Sequence, residues 1–557
     1  MIETTKSALP DIVEGFPNIC GSEDRIAEAM ARRGPYYVPE SGVDFSRVRS
    51  AFSIALHMHQ PLIPAGGSDL HTAAIVSNLK YMMDNPQIGD NHNASVFHWC
   101  YKRMGEFIPQ LVEEGKKPRV MLDYSGCLLY GLRAMGLNDV FDNLKRVTLD
   151  PAYRRSVEWL GTAWGHAVAP STPVQDFRLH VNAWQHYFAA IFGLDALSRV
   201  RGFSPPEMAL PNHPEVCYEF VRTLKDSGYR WILVQEHTVE RVDDGAGIRH
   251  PHLPHRLVAR NARGDTVNIT AIIKTQGSDT KLVGQMQPYY EAKGLSRVEW
   301  AGRSIPLLVT QISDGENGGV MMNEFPPKYL SVMREASDSD TVPASVTEYL
   351  EYLDSIGIKE EDLPAVQPIL QKRIWDRLGP RSSAEKLENV LEQLRKEDHR
   401  FHVEGGSWTN NISWVRGYGD VLGPIEQTSA RFAEKTAGVP TSEHRYRNAL
   451  FHLLTTQTSC YRYWGAGIWT DYAREVCRRL TEFKKRTKIR APFVILHCAL
   501  CGSYAVFCFY ASFYAKRILL LAEEGKRPWI AGESLWPVVP AFPPASVFLL
   551  LVDRNVP

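Results

Sequence analysis

From residue 51 onward the chain repeats one pattern, a short apolar run that ends in polar residues and is followed by a helical stretch. The runs are AFSIALHMH (51–59), RVMLDY (Arg119–Tyr124), WILVQ (Trp231–Gln235), VNITAII (Val267–Ile273) and IPLLVTQI (Ile305–Ile312). A run that is apolar at successive positions reads as a strand buried on both faces, the habit of parallel sheets. Helical stretches such as Val96–Glu114 and Arg178–Leu194 intervene. Strands alternating with helices predict an α/β fold with a parallel sheet, and this many units favour a barrel. In such barrels the chemistry sits at the C-terminal ends of the strands. A length of 557 residues leaves room for a barrel and at least one further region.

Residues 1–48 are polar and proline-spotted and read as an N-terminal leader, with the barrel over 49–340. The polar segment REASDSDTV (Arg334–Val342) reads as a boundary. Beyond it the pattern turns helical over 341–490, with Ser345–Ile356, Ser382–Arg400 and Ser442–Tyr463 as the clearest stretches. The last segment, 491–557, is an apolar tail. Ala491–Ala515 is nearly all apolar or aromatic and is flanked by KKRTKIR and Lys516-Arg517. Three readings of it stand side by side: a membrane anchor, a shifted reading frame, and a buried core segment. No internal repeat, P-loop or GxGxxG occurs.

Charge narrows the function classes. Lys+Arg and Asp+Glu are both 63, so no global field favours nucleic acid or an anionic membrane. A membrane partner enters only if the apolar run is a real anchor. The first residues, MIETTKSALPDIVEGF, carry Glu3 and Asp11 and lack a long apolar run, so they do not read as a secretory signal. Nine scattered cysteines then predict reduced thiols and a cytoplasmic location. Cys498-x-x-Cys501 has no companion pair, which argues against a metal site there.

Five motifs could carry chemistry. In His57-Met58-His59-Gln60-Pro61, two imidazoles two apart on a strand share one face. They could line a site or be hydrogen-bonded core histidines. Trp164-Gly165-His166 has a glycine that permits a tight turn. In Gly202–Pro211 (GFSPPEMALP), Glu207 lies among prolines that stiffen the backbone around a carboxylate, although most glutamates are plain loop residues. Ser313–Gly319 (SDGENGG) follows an apolar run, and Asp314 at a barrel strand end reads as catalytic. Ser459–Trp469 (SCYRYWGAGIW) is aromatic-rich, fitting helix packing or a lid over a sugar. Two carboxylates at separate strand ends fit glycoside hydrolysis.

The ordered series HMHQP, WGH, PPEMALP, SDGENGG and YRYWG resembles the five motifs of glycoside hydrolase family 57, over about residues 50–475. The resemblance implies a (β/α)7 barrel followed by a helical domain that completes the active site. It also implies a retaining α-glycosidase or transglycosylase acting on α-glucans or maltooligosaccharides, without cofactor. By motif match, Glu207 would be the nucleophile and Asp314 the general acid/base. His57, His59 and His166 would contact the sugar, and Trp464 would belong to an aromatic wall. Two departures bear on the subsites. The chain reads Phe203-Ser204-Pro205 where the family often has a Trp before the nucleophile. It also reads Asn317-Gly318-Gly319 where many members place a bulky aromatic. Substrate and hydrolase-versus-transferase preference therefore stay open. Two other readings compete. One is a metal-dependent polysaccharide deacetylase or mannosidase, with His57, His59, His166 and Asp314 as ligands. The other is a non-catalytic α-glucan-binding homologue.

Overall fold

The computed structural model describes residues 8–275, 281–316, 323–409, 419–463 and 467–482. Seven strands form a closed parallel barrel. They are β1 (Ser50–Met58), β2 (Val120–Tyr124), β3 (Val157–Gly161), β4 (Gly202–Phe203), β5 (Trp231–Gln235), β6 (Thr266–Lys274) and β7 (Leu307–Asp314). The order around the barrel is β6–β7–β1–β2–β3–β4–β5, and β5 pairs back onto β6. Each neighbouring pair is parallel. This is the (β/α)7 barrel the alternating pattern and the family resemblance led us to expect.

The five apolar runs all became barrel strands, and β3 and β4 complete the seven. Sequence reading passed over both for physical reasons. VEWLG is interrupted by Glu158, and β4 is only Gly202–Phe203, too short to show a period. Side chains alternate across each strand. Ala51, Ala55, Met121, Leu160, Leu233, Ile272 and Ile312 fill one buried cluster inside the barrel. Phe52, Ile54, Leu122, Trp159, Phe203, Ile232 and Ile273 face the surrounding helices in another. Both faces are dry, which is why the runs read as continuously apolar.

The seam between β6 and β7 is narrow, with Lys274 opposite Thr310. Gln311 reinforces it by donating to the Thr275 carbonyl at 2.7 Å. The stretch over Val96–Glu114 forms two helices, Ala94–Lys102 and Met104–Glu113. The polar segment Arg334–Val342 is not a bare linker. It ends the helix Phe325–Ala336 and enters a short strand, Thr341–Pro343, that pairs in parallel with the start of β1. Arg49 holds the turn between them by an ion pair with Asp340 at 2.9 Å.

Helix α1 (Val174–Phe192) flanks the barrel, and α2 (Val346–Ser355) follows it. Farther on, α3 (His444–Thr456) leads into the single turn α4 (Ser459–Tyr463). The N-terminal stretch carries a helix, Glu23–Ala31, whose Ile26, Ala29 and Met30 are buried in the outer core. Residues Met1–Phe483 form one compact unit. Among the described residues no helix is long and apolar enough to cross a membrane. The apolar tail from 491 and Cys498-x-x-Cys501 lie outside the described residues.

Candidate active site

Strand register builds the first part of the site. The inward-facing positions on β1 end at His57, those on β7 at Asp314, and those on β2 include Asp123. Asp314 pairs with His57, and His57 pairs with Asp123, so the three stand side by side on adjacent strands. His57 Nδ1 bonds the Asp123 carboxylate at 2.9 Å. Asp314, the last residue of β7, is exposed at the mouth of the barrel.

Glu207 enters from beyond β4. Pro205-Pro206 leads the chain into a single helical turn in which Glu207 itself has φ +58° and Met208 φ +49°. Left-handed backbone at two non-glycine residues is uncommon and is tolerated only when the surroundings over-determine it. Here they do. Leu210 and Gly406 exchange backbone hydrogen bonds at 2.8 and 3.1 Å, and the Trp408 amide donates to the Glu207 carbonyl at 3.0 Å. The Trp408 indole N–H then donates to Glu207 Oε2 at 2.8 Å. Gly405 makes this approach possible. Its φ is +103°, and a Cβ there would lie 2.7 Å from Pro170 and 2.8 Å from the Leu210 carbonyl.

Trp164-Gly165-His166 turns beside the same cleft, but not by glycine's conformational freedom. The left-handed residue is His166, at φ +57°. Gly165 serves close approach, since a Cβ there would lie 2.2 Å from the Leu454 carbonyl of α3. That contact brings the segment 457–460 onto the barrel mouth. Ser459 N–H donates to the His166 carbonyl at 3.0 Å, and Ser459 Oγ stands 2.7 Å from His166 Nδ1. His166 Nδ1 in turn lies 3.8 Å from Glu207 Oε1. His166 stacks on His59 with centroids 4.1 Å apart and lies tilted against His57 at 4.6 Å. His59 Nδ1 bonds Ser125 Oγ at 2.8 Å. The structure thus brings together Glu207, Asp314, His57, His59 and His166. Trp464 lies outside the described residues.

Three residues that sequence reasoning did not single out belong here. Glu316 is buried, accepts from the His59 amide at 2.7 Å and from the Tyr101 hydroxyl at 3.2 Å. It sits two residues after Asp314, the spacing that places side chains on one face of an extended chain, so its position was legible. Ser459 opens the aromatic-rich motif but was overlooked beside the aromatics. Trp408 is 201 residues from Glu207 in the chain. Its one local signal is the Gly405-Gly406 pair.

The charges are arranged around His57. Burial by itself pulls its imidazole down, but Asp123, with Asp314 and Glu316, outweighs burial and pushes it up to about 10. It is therefore an imidazolium at neutral pH. Burial and the positive charge of His57 hold His59 and His166 far below the ordinary histidine range, so both are neutral. Burial and the Asp314 charge push Glu207 up to about 6, against the pull of His57 and the bond from Trp408. Asp314 is raised too: although the residue is exposed, the surrounding protein atoms partly desolvate its carboxyl, with His57 opposing and Asp123 adding to the rise. Burial takes Glu316 up to about 7, with His57 opposing and Asp314 adding. Several carboxyls here can thus hold or release a proton near neutrality, as acid–base chemistry requires.

The three imidazoles cluster, with His59 and His166 stacked and His57 tilted against them. Among the described residues no group of three His, Cys, Asp or Glu side chains is disposed to hold a metal ion. A cavity of about 1010 Å³ opens at the opposite end of the barrel, lined by Trp231, Thr270 and Thr347 among others, and shares none of the residues above.

Residues 53–340, just over half of the chain, match the sequence model of Glycosyl hydrolase family 57. A comparison with curated proteins returns no match. Among solved structures the chain is similar to the 4-α-glucanotransferase from Thermococcus litoralis, at 16% identity and a TM-score of 0.48. That match covers 78% of this chain and 59% of the other, so this chain spans less than two thirds of that protein's length. It is also similar to the GH57-type branching enzyme from the hyperthermophilic archaeon Pyrococcus horikoshii, at 12% identity, 78% and 88% coverage and a TM-score of 0.48. The α-amylase AmyC from Thermotoga maritima is a third, at 10% identity, 78% and 93% coverage and a TM-score of 0.46.

Proposed function

This chain belongs to glycosyl hydrolase family 57, and from that premise we propose that it is a retaining α-glycosidase or transglycosylase acting on α-1,4-linked glucans. The observation that carries the reading is a pair of carboxyls, Glu207 on a strained turn and Asp314 at the end of β7. They share one cleft closely enough for the Asp314 charge to act on Glu207. The hydrogen bond from the Trp408 indole favours the ionised form of Glu207. The crowded setting of Asp314 favours its protonated form.

Glu207 attacks the anomeric carbon while Asp314 gives its proton to the departing glycosidic oxygen. The bond to that oxygen breaks and a β-linked glucosyl ester forms on Glu207. Asp314, now a carboxylate, takes a proton from water or from a sugar hydroxyl, which attacks the same carbon and releases Glu207. Water gives hydrolysis and a sugar hydroxyl gives transfer. His57, as an imidazolium, and the neutral His59 and His166 supply donors and acceptors for the hydroxyls of the reacting sugar.

Azide tests the roles. Glu207→Ala should lose turnover and, with azide and an activated α-glucoside, yield a β-glycosyl azide. Asp314→Ala should yield the α-azide, because azide intercepts the ester after the first inversion. Near-wild-type turnover by Glu207→Ala, or the reverse pairing of products, would overturn the assignment. Incubation with maltoheptaose then separates the outcomes. Shorter products alone mean hydrolysis, longer ones mean transfer, and binding without product would make the chain a glucan-binding homologue. Loss of activity on chelation would favour the metal-dependent reading instead.

A further inference from the structure

We infer that the cavity of about 1010 Å³ at the opposite end of the barrel is a second ligand site, which takes the phosphate group of a small molecule between Arg33 and Arg230. It shares no residue with the cleft that holds Glu207 and Asp314.

Charge balance points to an anion. Of the cations that line the cavity, two are already matched. Lys225 faces Glu360 at 3.8 Å, and Lys359 pairs with Asp354 at 2.5 Å. Glu351 is engaged by the backbone amides of Tyr36, Tyr37 and Val38, at 2.6, 2.8 and 2.9 Å. What remains is Arg33, Arg201 and Arg230, three guanidinium groups against that one carboxylate.

Arg201 supplies field rather than contact. It is 1% exposed, and it donates to the carbonyls of Met30 at 2.7 Å and Gly228 at 3.2 Å, to the Arg32 carbonyl, and to the Tyr36 hydroxyl at 2.8 Å. Every one of these acceptors is neutral. Carbonyls at the end of the helix Glu23–Ala31 offset part of the charge, but among the described residues no carboxylate pairs with it. Its Nε is buried and bonds no group among the described residues. A buried guanidinium without a counter-ion is costly, and an anion nearby lowers that cost. Burial pulls Arg201 below the usual arginine range, and the Arg230 charge adds to that pull while Tyr36 opposes it.

Arg33 and Arg230 supply the contact. Both are exposed on the cavity wall, and among the described residues neither side chain forms an ion pair or a hydrogen bond. Arg201 joins the two segments that carry them. The Arg230 amide donates to the Arg201 carbonyl at 2.8 Å, and the Arg201 guanidinium holds the carbonyl of Arg32, the neighbour of Arg33. Guanidinium groups present paired N–H donors that match phosphate oxygens two at a time. Three positive charges against Glu351 leave an excess of two, close to the charge of a phosphate monoester at neutral pH. The volume also accommodates an organic body beyond the phosphate.

Calorimetric titration and thermal unfolding of the full-length protein, at constant ionic strength and neutral pH, test the site. The probes are inorganic phosphate and glucose 6-phosphate, with glucose as the control for binding in the cleft through hydroxyls alone. Both phosphate probes should bind saturably and raise the melting temperature. Tighter binding of glucose 6-phosphate would assign the site to a phosphate ester, and equal or weaker binding would assign it to free phosphate. Arg33→Ala and Arg230→Ala should each weaken binding about tenfold. Neither should change the melting temperature without ligand, since neither side chain is engaged in the free protein. Absence of saturable binding by both phosphate probes overturns the inference. So does undiminished binding in the double variant Arg33→Ala/Arg230→Ala, which would place the anion elsewhere on the molecule. Either result leaves the roles of Glu207 and Asp314 untouched.

Discussion

Glu158 lies inside the barrel on β3, and its carboxyl shows how burial alone can write a pH dependence into the fold. The Thr347 amide donates to it at 3.2 and 3.3 Å, and the Thr347 hydroxyl, which accepts from the Trp231 indole at 2.8 Å, donates to it as well. Burial still dominates those bonds and pushes Glu158 up to about 8, with the charge of Glu348 adding to the rise. The folded protein therefore prefers the neutral acid, while the unfolded chain titrates near 4.5. The stability this group contributes is full below pH 4.5 and is lost as pH rises through about 8. Glu158→Gln keeps the acceptor for Thr347 and cannot ionise. It should match the wild type in urea unfolding at pH 4.5 and exceed it by about 1–3 kcal/mol at pH 8.5. Parallel stability profiles for the two proteins would refute this.

At the scale of elements, the site depends on how closely α3 approaches the Trp164-Gly165-His166 turn. The neighbour of Gly165 is backbone, the Leu454 carbonyl, so an added methyl cannot be accommodated by a side-chain rotation. Gly165→Ala should force α3 outward, destabilise the protein by about 2 kcal/mol and weaken the pairing of Ser459 with His166. Gly247→Ala is the control. It meets nothing within 4 Å and should change stability by less than about 0.5 kcal/mol. Thermal unfolding of the two variants beside the wild type checks this. Equal loss in both would show that the close approach at Gly165 is not what constrains the turn. The same segment is tied down farther along. Gln457 donates to Asp176 of α1 at 2.6 Å and accepts from His180 at 2.9 Å, and the Tyr461 hydroxyl donates to the Leu62 carbonyl at 2.7 Å.

For the whole molecule, the barrel alone carries Glu207, Asp314 and the three histidines, yet part of their hydrogen bonding is supplied from after residue 340. A fragment ending near residue 340 lacks Trp408, Gln457 and Ser459. It would leave His180, Asp176 and an apolar face of the barrel uncovered. We expect it to show no turnover on maltoheptaose, to bind a hydrophobic dye and to be poorly soluble. A soluble fragment with full activity would refute the reading that the 341–490 region completes the site. The register across the barrel matters in the same way. Asp314, His57 and Asp123 form a row only because β7, β1 and β2 are neighbours, although β7 follows β1 by some two hundred and fifty residues.

What the sequence determined by itself was local and periodic. Apolar runs with polar ends announced five of the seven strands. Prolines around Glu207 and the strand end at Asp314 marked the two carboxylates, and two-residue spacing put His57 and His59 on one face. Glu316 obeyed that same spacing and could have been read. Tertiary structure alone decided which groups meet. Nothing near Trp408 in the chain points to Glu207, and nothing near Ser459 points to His166, because those bonds arise where distant segments close over the barrel mouth. The charge on His57 was equally hidden. It depends on Asp123 and Asp314 being brought to either side of a buried imidazole, and burial and Coulomb attraction act through space rather than along the chain.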